Sequence, residues 1–275
     1  MKVLIALTIV TATLVFNAAK ASAACSPSAM DGWVPGVGHA PGSLGTFVTD
    51  LWIYNPSTDT PTDVTVTFHD SETDGTAGNS ATVVVAPRET RFFPDFLPGL
   101  LSLNGSLIGN VRYVSDAVPV LVSAHIYLSQ QTGTYGVFES GIPASEALGR
   151  KLAADDTATL WQMYGLANDP GFRTNVDVTN TSNAPVTVIL NVVEPEHSLI
   201  VNNGGAGAAA TVLPFSNHRF PDVLSNLAPG YQNAPGLRVT VAIPETASSS
   251  AACFAVASVL DVRTGDTYVF PGQRQ

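Results

Sequence analysis

Cysteine, lysine and long apolar runs are all scarce in this chain of 275 residues. Each scarcity excludes something. The two cysteines, Cys25 and Cys253, lie in no catalytic sequence context and allow one bridge at most. Lysine occurs only at Lys2, Lys20 and Lys151, and no stretch gathers Lys and Arg into a patch. With 12 basic against 22 acidic side chains the formal net charge is −10. Such a chain repels nucleic acid and anionic lipid surfaces. Beyond the N-terminus no segment is apolar for long enough to cross a membrane, so no stable span is expected. Catalytic signatures are missing as well. There is no Gly-x-Ser-x-Gly elbow and no Ser-x-x-Lys with its usual companions. His39, His69, His125, His197 and His218 are scattered outside any metal-binding spacing. No catalytic residue is assigned, and the chain reads as a non-enzyme.

What is there begins with an export signal. Lys2, the apolar run from Val3 to Phe16 and the small residues Ala21-Ser22-Ala23 follow the order of a secretory signal peptide, expected over 1–24. The protein is therefore expected in the periplasm, on the cell surface or outside the cell. In that compartment the two cysteines are most simply a disulfide, Cys25 to Cys253. If Phe254, Val256 and Leu260 point into a core, Cys253 points outward, where a partner reaches it.

The rest of the chain repeats itself once. Thr49-Asp50-Leu51-Trp52-Ile53-Tyr54-Asn55-Pro56-Ser57 returns as Thr174-Asn175-Val176-Asp177-Val178-Thr179-Asn180-Thr181-Ser182. Phe93-Pro94-Asp95-Phe96-Leu97 returns as Phe220-Pro221-Asp222-Val223-Leu224, and Thr132 to Phe138 as Thr264 to Phe270. Each copy alternates apolar and polar residues over short runs such as Val64-Thr65-Val66-Thr67-Phe68, the period of half-buried antiparallel strands. Asn55 and Asn180 stand where a strand ends in a side-chain-supported turn. Asp95 and Asp222 are placed to cap one short helical turn each, Phe96 to Leu101 and Val223 to Leu227. The expected fold is all-β: two tandem Ig-like or fibronectin-like antiparallel β-sandwich domains, over 25–147 and 148–275. At these landmarks the chain resembles tandem Ig-like β-sandwich domains of exported bacterial proteins of unknown function. That resemblance implies a fold and an export route and assigns no reaction.

Two copies separate what the fold needs from what it tolerates. If Leu51 and Ile53 face inward, Trp52 and Tyr54 face outward, where the second copy has Asp177 and Thr179. With Val122 and Ala124 inside, His125 and Tyr127 lie on the same outer face, against Ala257 and Val259. An outward row of flat rings suits stacking on a polysaccharide or on a protein surface. A weaker motif is Asp70-Ser71-Glu72-Thr73-Asp74-Gly75, where the alternating carboxylates Asp70, Glu72 and Asp74 suggest a calcium loop. It lacks a closing Glu, since the twelfth position is Ala81. No other cofactor is implied. The expected function is contact, as a structural, adhesive or accessory component, with carbohydrate binding as the alternative. A hydrolase with a site assembled in space ranks below both. Edge strands offer a route to self-association.

Overall fold

The computed structural model describes residues 27–42, 45–130, 133–149, 161–167, 169, 171–196, 199–203, 205–231, 236–244, 247 and 250–274. The expected signal peptide and Cys25 lie outside the described residues. Nine strands build the first sandwich: β1 (Asp31–Pro41), β2 (Thr46–Tyr54), β3 (Thr62–Asp70), β4 (Asn79–Val85), β5 (Thr90–Phe93), β6 (Leu107–Ser115), β7 (Leu121–Gln130), β8 (Gly133–Ser140) and β9 (Ile142–Pro143). One layer runs β4-β3-β6-β1-β9 and the other β5-β2-β7-β8. Strand β1 belongs to both. Its first part pairs with β6 and β9, while Ala40 and Pro41 pair with β2 in the opposite layer. A bulge between Val34 and Val37 makes the crossing, with Gly36 at φ +74°. That left-handed conformation is one glycine adopts without penalty.

Ten further strands follow: β10 (Leu148–Gly149), β11 (Trp161–Met163), β12 (Phe172–Asn180), β13 (Val186–Val193), β14 (Ala208–Val212), β15 (Asn217–Phe220), β16 (Arg238–Ala242), β17 (Ala252–Asp261), β18 (Thr267–Pro271) and β19 (Gln273–Arg274). Their layers are β14-β13-β16-β11-β19 and β10-β17-β12-β15, with β18 on the edge of β17. The pairings of β1 to β9 recur one for one in β11 to β19. The pair β2·β7 returns as β12·β17, β3·β6 as β13·β16, and β1·β9 as β11·β19. The fold is all-β, two tandem antiparallel sandwiches in line with the sequence pattern.

Alternation fills the two cores. Leu51, Ile53, Val64, Val66, Phe68 and Val111 are fully buried in the first, and Val176, Val178, Val186, Val188, Leu190 and Val239 in the second. The repeated asparagines are latches. Asn55 Oδ1 accepts from the Ser57 amide at 2.9 Å while its Nδ2 donates to the Thr60 and Val85 carbonyls. Asn180 does the same toward Ser182, Ala184 and Val212. Both side chains are wholly buried with their hydrogen bonds made, which is what a buried amide requires.

Two local expectations are corrected. The helices α1 (Phe96–Leu101) and α2 (Val223–Leu227) form, but Asp95 and Asp222 do not cap them by side chain. Both aspartates take left-handed backbone conformations, and their amides donate to Asp50 and Asn175 in the neighbouring strands. Cys253 does not point outward. It lies 1 % exposed within the core of the second sandwich, beside Ala255 and Ala257. Val256 and Leu260 face the first sandwich instead of that core. Both faces of β17 are covered, so its apolar run carries no alternation to read. Burial pushes the Cys253 thiol up to about 12, and it is a free cysteine.

The sandwiches pack on each other through named contacts. Trp33 of β1 joins the core of the second sandwich and stacks on Phe215 at 6.1 Å, with His69 5.4 Å from Trp33 and 5.6 Å from Phe215. Arg112, held to Asp31 through two hydrogen bonds of 2.9 and 2.6 Å, lies over both Trp33 and Phe215. The loop after β3 docks beside them. The amides of Glu72 and Gly75 donate to the carbonyls of Asn217 and Pro214, and Ser71 Oγ donates to Asn217 Oδ1 at 2.6 Å.

Candidate functional site: an aromatic sheet face

The outer surface of the β5-β2-β7-β8 layer carries five rings in contact. On β2, Leu51 and Ile53 fill the core and Trp52 turns to the other side, as pleating demands. Register then places Phe92 of β5 beside Trp52, and the two rings stack at 4.7 Å. Across β7, Phe138 of β8 is opposite His125; these rings are nearly coplanar in orientation, 7° apart, with centroids at 4.2 Å. Phe138 also reaches Trp52 at 5.9 Å, and His125 stacks on Tyr127 at 4.5 Å. The row therefore runs Phe92, Trp52, Phe138, His125, Tyr127. Phe138 is 67 % exposed and Phe92 48 %.

Polar groups border one end. Tyr127 titrates above its ordinary range, first because of burial and then because of the Asp50 carboxylate, to which its hydroxyl donates. Asp50 also accepts the Asp95 amide at 2.8 Å, and the Asp95 carboxylate meets His39 Nδ1 at 2.9 Å. Carboxylates beside exposed rings offer acceptors for hydroxyl groups and faces for stacking.

Of the residues singled out by sequence, Trp52, His125 and Tyr127 are brought together. Tyr54 is half-buried further along the same face and makes no ring contact with the row among the described residues. Sequence comparison missed Phe92 and Phe138, which join only through strand pairing; the alternation of β5 and β8 was the available signal. One comparison is corrected by a single residue. Leu51 pairs with Ala124 and Val176 with Ala257, so the counterparts of His125 and Tyr127 are Ser258 and Leu260, not Ala257 and Val259. A shift of one residue exchanges the faces.

With that register the two copies differ in a consistent way. Where the first has Trp52 stacked on Phe92, the second has Asp177 in a bidentate ion pair with Arg219, at 2.8 and 3.0 Å. The equivalent face of the second sandwich lies against the first, leaving Asp177 6 % exposed. The fold uses this face for packing in one copy and leaves it decorated with rings and open in the other.

The acidic loop is occupied with other work. Asp70 Oδ1 accepts the Ser71 amide, Asp74 Oδ1 accepts the Thr76 amide, and Glu72 pairs with His218 of the second sandwich at 2.9 Å. The backbone bond to Thr76 holds the Asp74 carboxyl below its ordinary range. The three carboxylates do not converge, and among the described residues no group of three or more His, Cys, Asp or Glu is arranged to hold a metal ion. Among the same residues no helix is long and apolar enough to cross a membrane.

No family model matches the chain, and no curated protein matches it. Two solved structures are similar to it at low levels. A crystal structure of Thermotoga maritima 1070 has 16 % identity and a TM-score of 0.34, covering 42 % of this chain and 93 % of that one. A lectin from Pleurotus ostreatus in complex with GalNAc has 10 % identity and a TM-score of 0.22, covering 90 % of this chain and 82 % of that one. Neither likeness carries an argument about function.

Proposed function

We propose that this is an exported, non-catalytic protein that works by contact, and that its recognition surface is the ring row of the first sandwich, holding a polysaccharide chain. The observation that carries the reading is the substitution of one face between two copies of one fold. Rings stand where the fold alone accepts an ion pair, a serine and a leucine. A row spanning four strands suits an extended ligand, because flat side chains offer contact area at low entropic cost. Asp50 and Asp95 at its border would accept hydroxyl hydrogens. The signal-like N-terminus and the resemblance to exported tandem domains support the route out of the cytoplasm.

The test is retention on insoluble polysaccharides, with cellulose, chitin and β-1,3-glucan as probes. Trp52→Ala and Phe138→Ala are each expected to weaken retention a few-fold to roughly tenfold, the range of one aromatic stacking contribution. Phe138→Ala should leave the melting temperature almost unchanged, since that ring is mostly in solvent. Retention that survives both substitutions sinks the glycan reading.

A further inference from the structure

A second feature lies on the opposite side of the same layer. Between the sandwiches is a cleft of about 250 Å³, bounded by the β1 bulge, by β7 and β8, and by β12, β15, β17 and β18. Its walls are mainly apolar, with Val37, Ile126, Val137, Val256 and Val269 among them. Into it faces Glu139 of β8, whose Oε2 is shut off from solvent and has no hydrogen-bond partner. The neighbours do not relieve it. Across the cleft Asp177 is already satisfied by Arg219, and Arg173 stands exposed on β12 with Asn175 two residues further along the strand.

The repeat says that this carboxyl is not a requirement of the fold. Glu139 is opposite Ala124 on β7, and the residue opposite the corresponding Ala257 is Phe270, which packs against the second core. One copy fills the position with an aromatic ring; the other puts an acid there and opens a cleft above it. Gly36 keeps that space clear, since a Cβ at this position would stand 3.9 Å from Glu139 Oε1. A buried acceptor left unpaired costs free energy, so its retention at a position that tolerates phenylalanine points to use.

We infer that the cleft between the sandwiches binds a small organic cation, a primary ammonium on an apolar stem, with the ammonium on Glu139 and the stem between the valine walls. A carboxylate only accepts, and the group that satisfies Oε2 must donate. Charge balance favours a cation over a neutral donor. With the cleft empty, burial and the nearby Asp177 charge, opposed by Arg219, raise Glu139 to about 8, so the acid is mostly protonated at neutral pH. An arriving ammonium replaces that proton: the carboxyl O–H bond breaks, the proton leaves to solvent, and an N–H donates to the freed carboxylate. The net charge of the cleft does not change. Phe47 and Tyr135, which also line it, add ring faces toward a cation.

Calorimetric titration of the full chain with n-butylammonium, n-butanol and butyrate tests this. Only n-butylammonium should bind, one per chain. At pH 6 to 7 it should release roughly one proton, read by repeating the titration in buffers of different ionisation enthalpy, and the release should fade as pH rises past 8. Glu139→Gln, nearly isosteric and checked by its melting curve, should lose roughly tenfold or more in affinity and all of the proton release. No binding of n-butylammonium, equal binding of butanol or butyrate, or unchanged affinity in Glu139→Gln overturns the inference. The first two outcomes need no variant, so a failure of Glu139→Gln to fold does not protect it.

Discussion

At the scale of single residues the chain keeps several polar groups where apolar ones would serve. His69 is the clearest case in the interface. The Gly75 carbonyl can only accept, so Nδ1 carries the proton in their 2.7 Å bond, and Nε2 is left buried without a partner between Trp33 and Phe215. Burial lowers its pKa from 6.5, the bond to Gly75 works against that shift, and the Arg112 charge adds to it. The folded state therefore takes up the proton less readily than the unfolded chain. Stability from this group is complete above pH 6.5 and declines as pH falls below it, because the unfolded chain then binds the extra proton. Urea unfolding at pH 7.5 and pH 5 should give a smaller difference for His69→Phe than for the natural chain. An equal difference in the two proteins means that other groups set the acid sensitivity.

At the scale of elements, what was legible in the sequence follows from which faces are buried. Strands β2, β3 and β12 have one face in a core, and their alternation placed Leu51, Ile53, Val64, Val66, Val176 and Val178 inside. Strand β17 is covered on both sides, and its run from Cys253 to Ala257 gave no phase, so Cys253 was assigned to the wrong face. The ring row was half legible. Trp52, His125 and Tyr127 stand out because the second copy lacks rings there, whereas Phe92 and Phe138 belong to it through pairings that no local pattern encodes. Glu139 was not legible at all, since its burial depends on the other sandwich. The β1 bulge is another tertiary device, and it is testable. Gly36→Ala forces a side chain into φ +74°, which should cost about 1–2 kcal/mol in urea unfolding. Gly230→Ala meets no atom within 4 Å and no such backbone, and should stay within roughly 0.5 kcal/mol of the natural chain. Equal effects would mean that the bulge is relaxed by other means.

At the scale of the whole molecule, duplication has been used asymmetrically. The second sandwich turns the face equivalent to the ring row toward the first, and the pair encloses a cleft that neither could form alone. This arrangement needs a firm joint, which the aromatic group of Trp33, His69 and Phe215 supplies together with the backbone bonds from Glu72 and Gly75. Trp33 is covalently part of the first sandwich and packed into the core of the second, so loss of either structure exposes apolar surface in both. Two domains coupled in this way unfold together when the interface free energy rivals the stability of the weaker one. Scanning calorimetry of the full chain should therefore show one transition. Phe215→Ala removes the ring that touches Trp33, His69 and Arg112 at once and should cost about 3 kcal/mol. Because most of that loss falls on the joint and not on either core, the single transition should separate into two. Two transitions in the natural chain would mean that the sandwiches are independent and the cleft is a fluctuating gap. One transition that merely moves down in Phe215→Ala would instead assign the coupling to the backbone bonds of the docked loop.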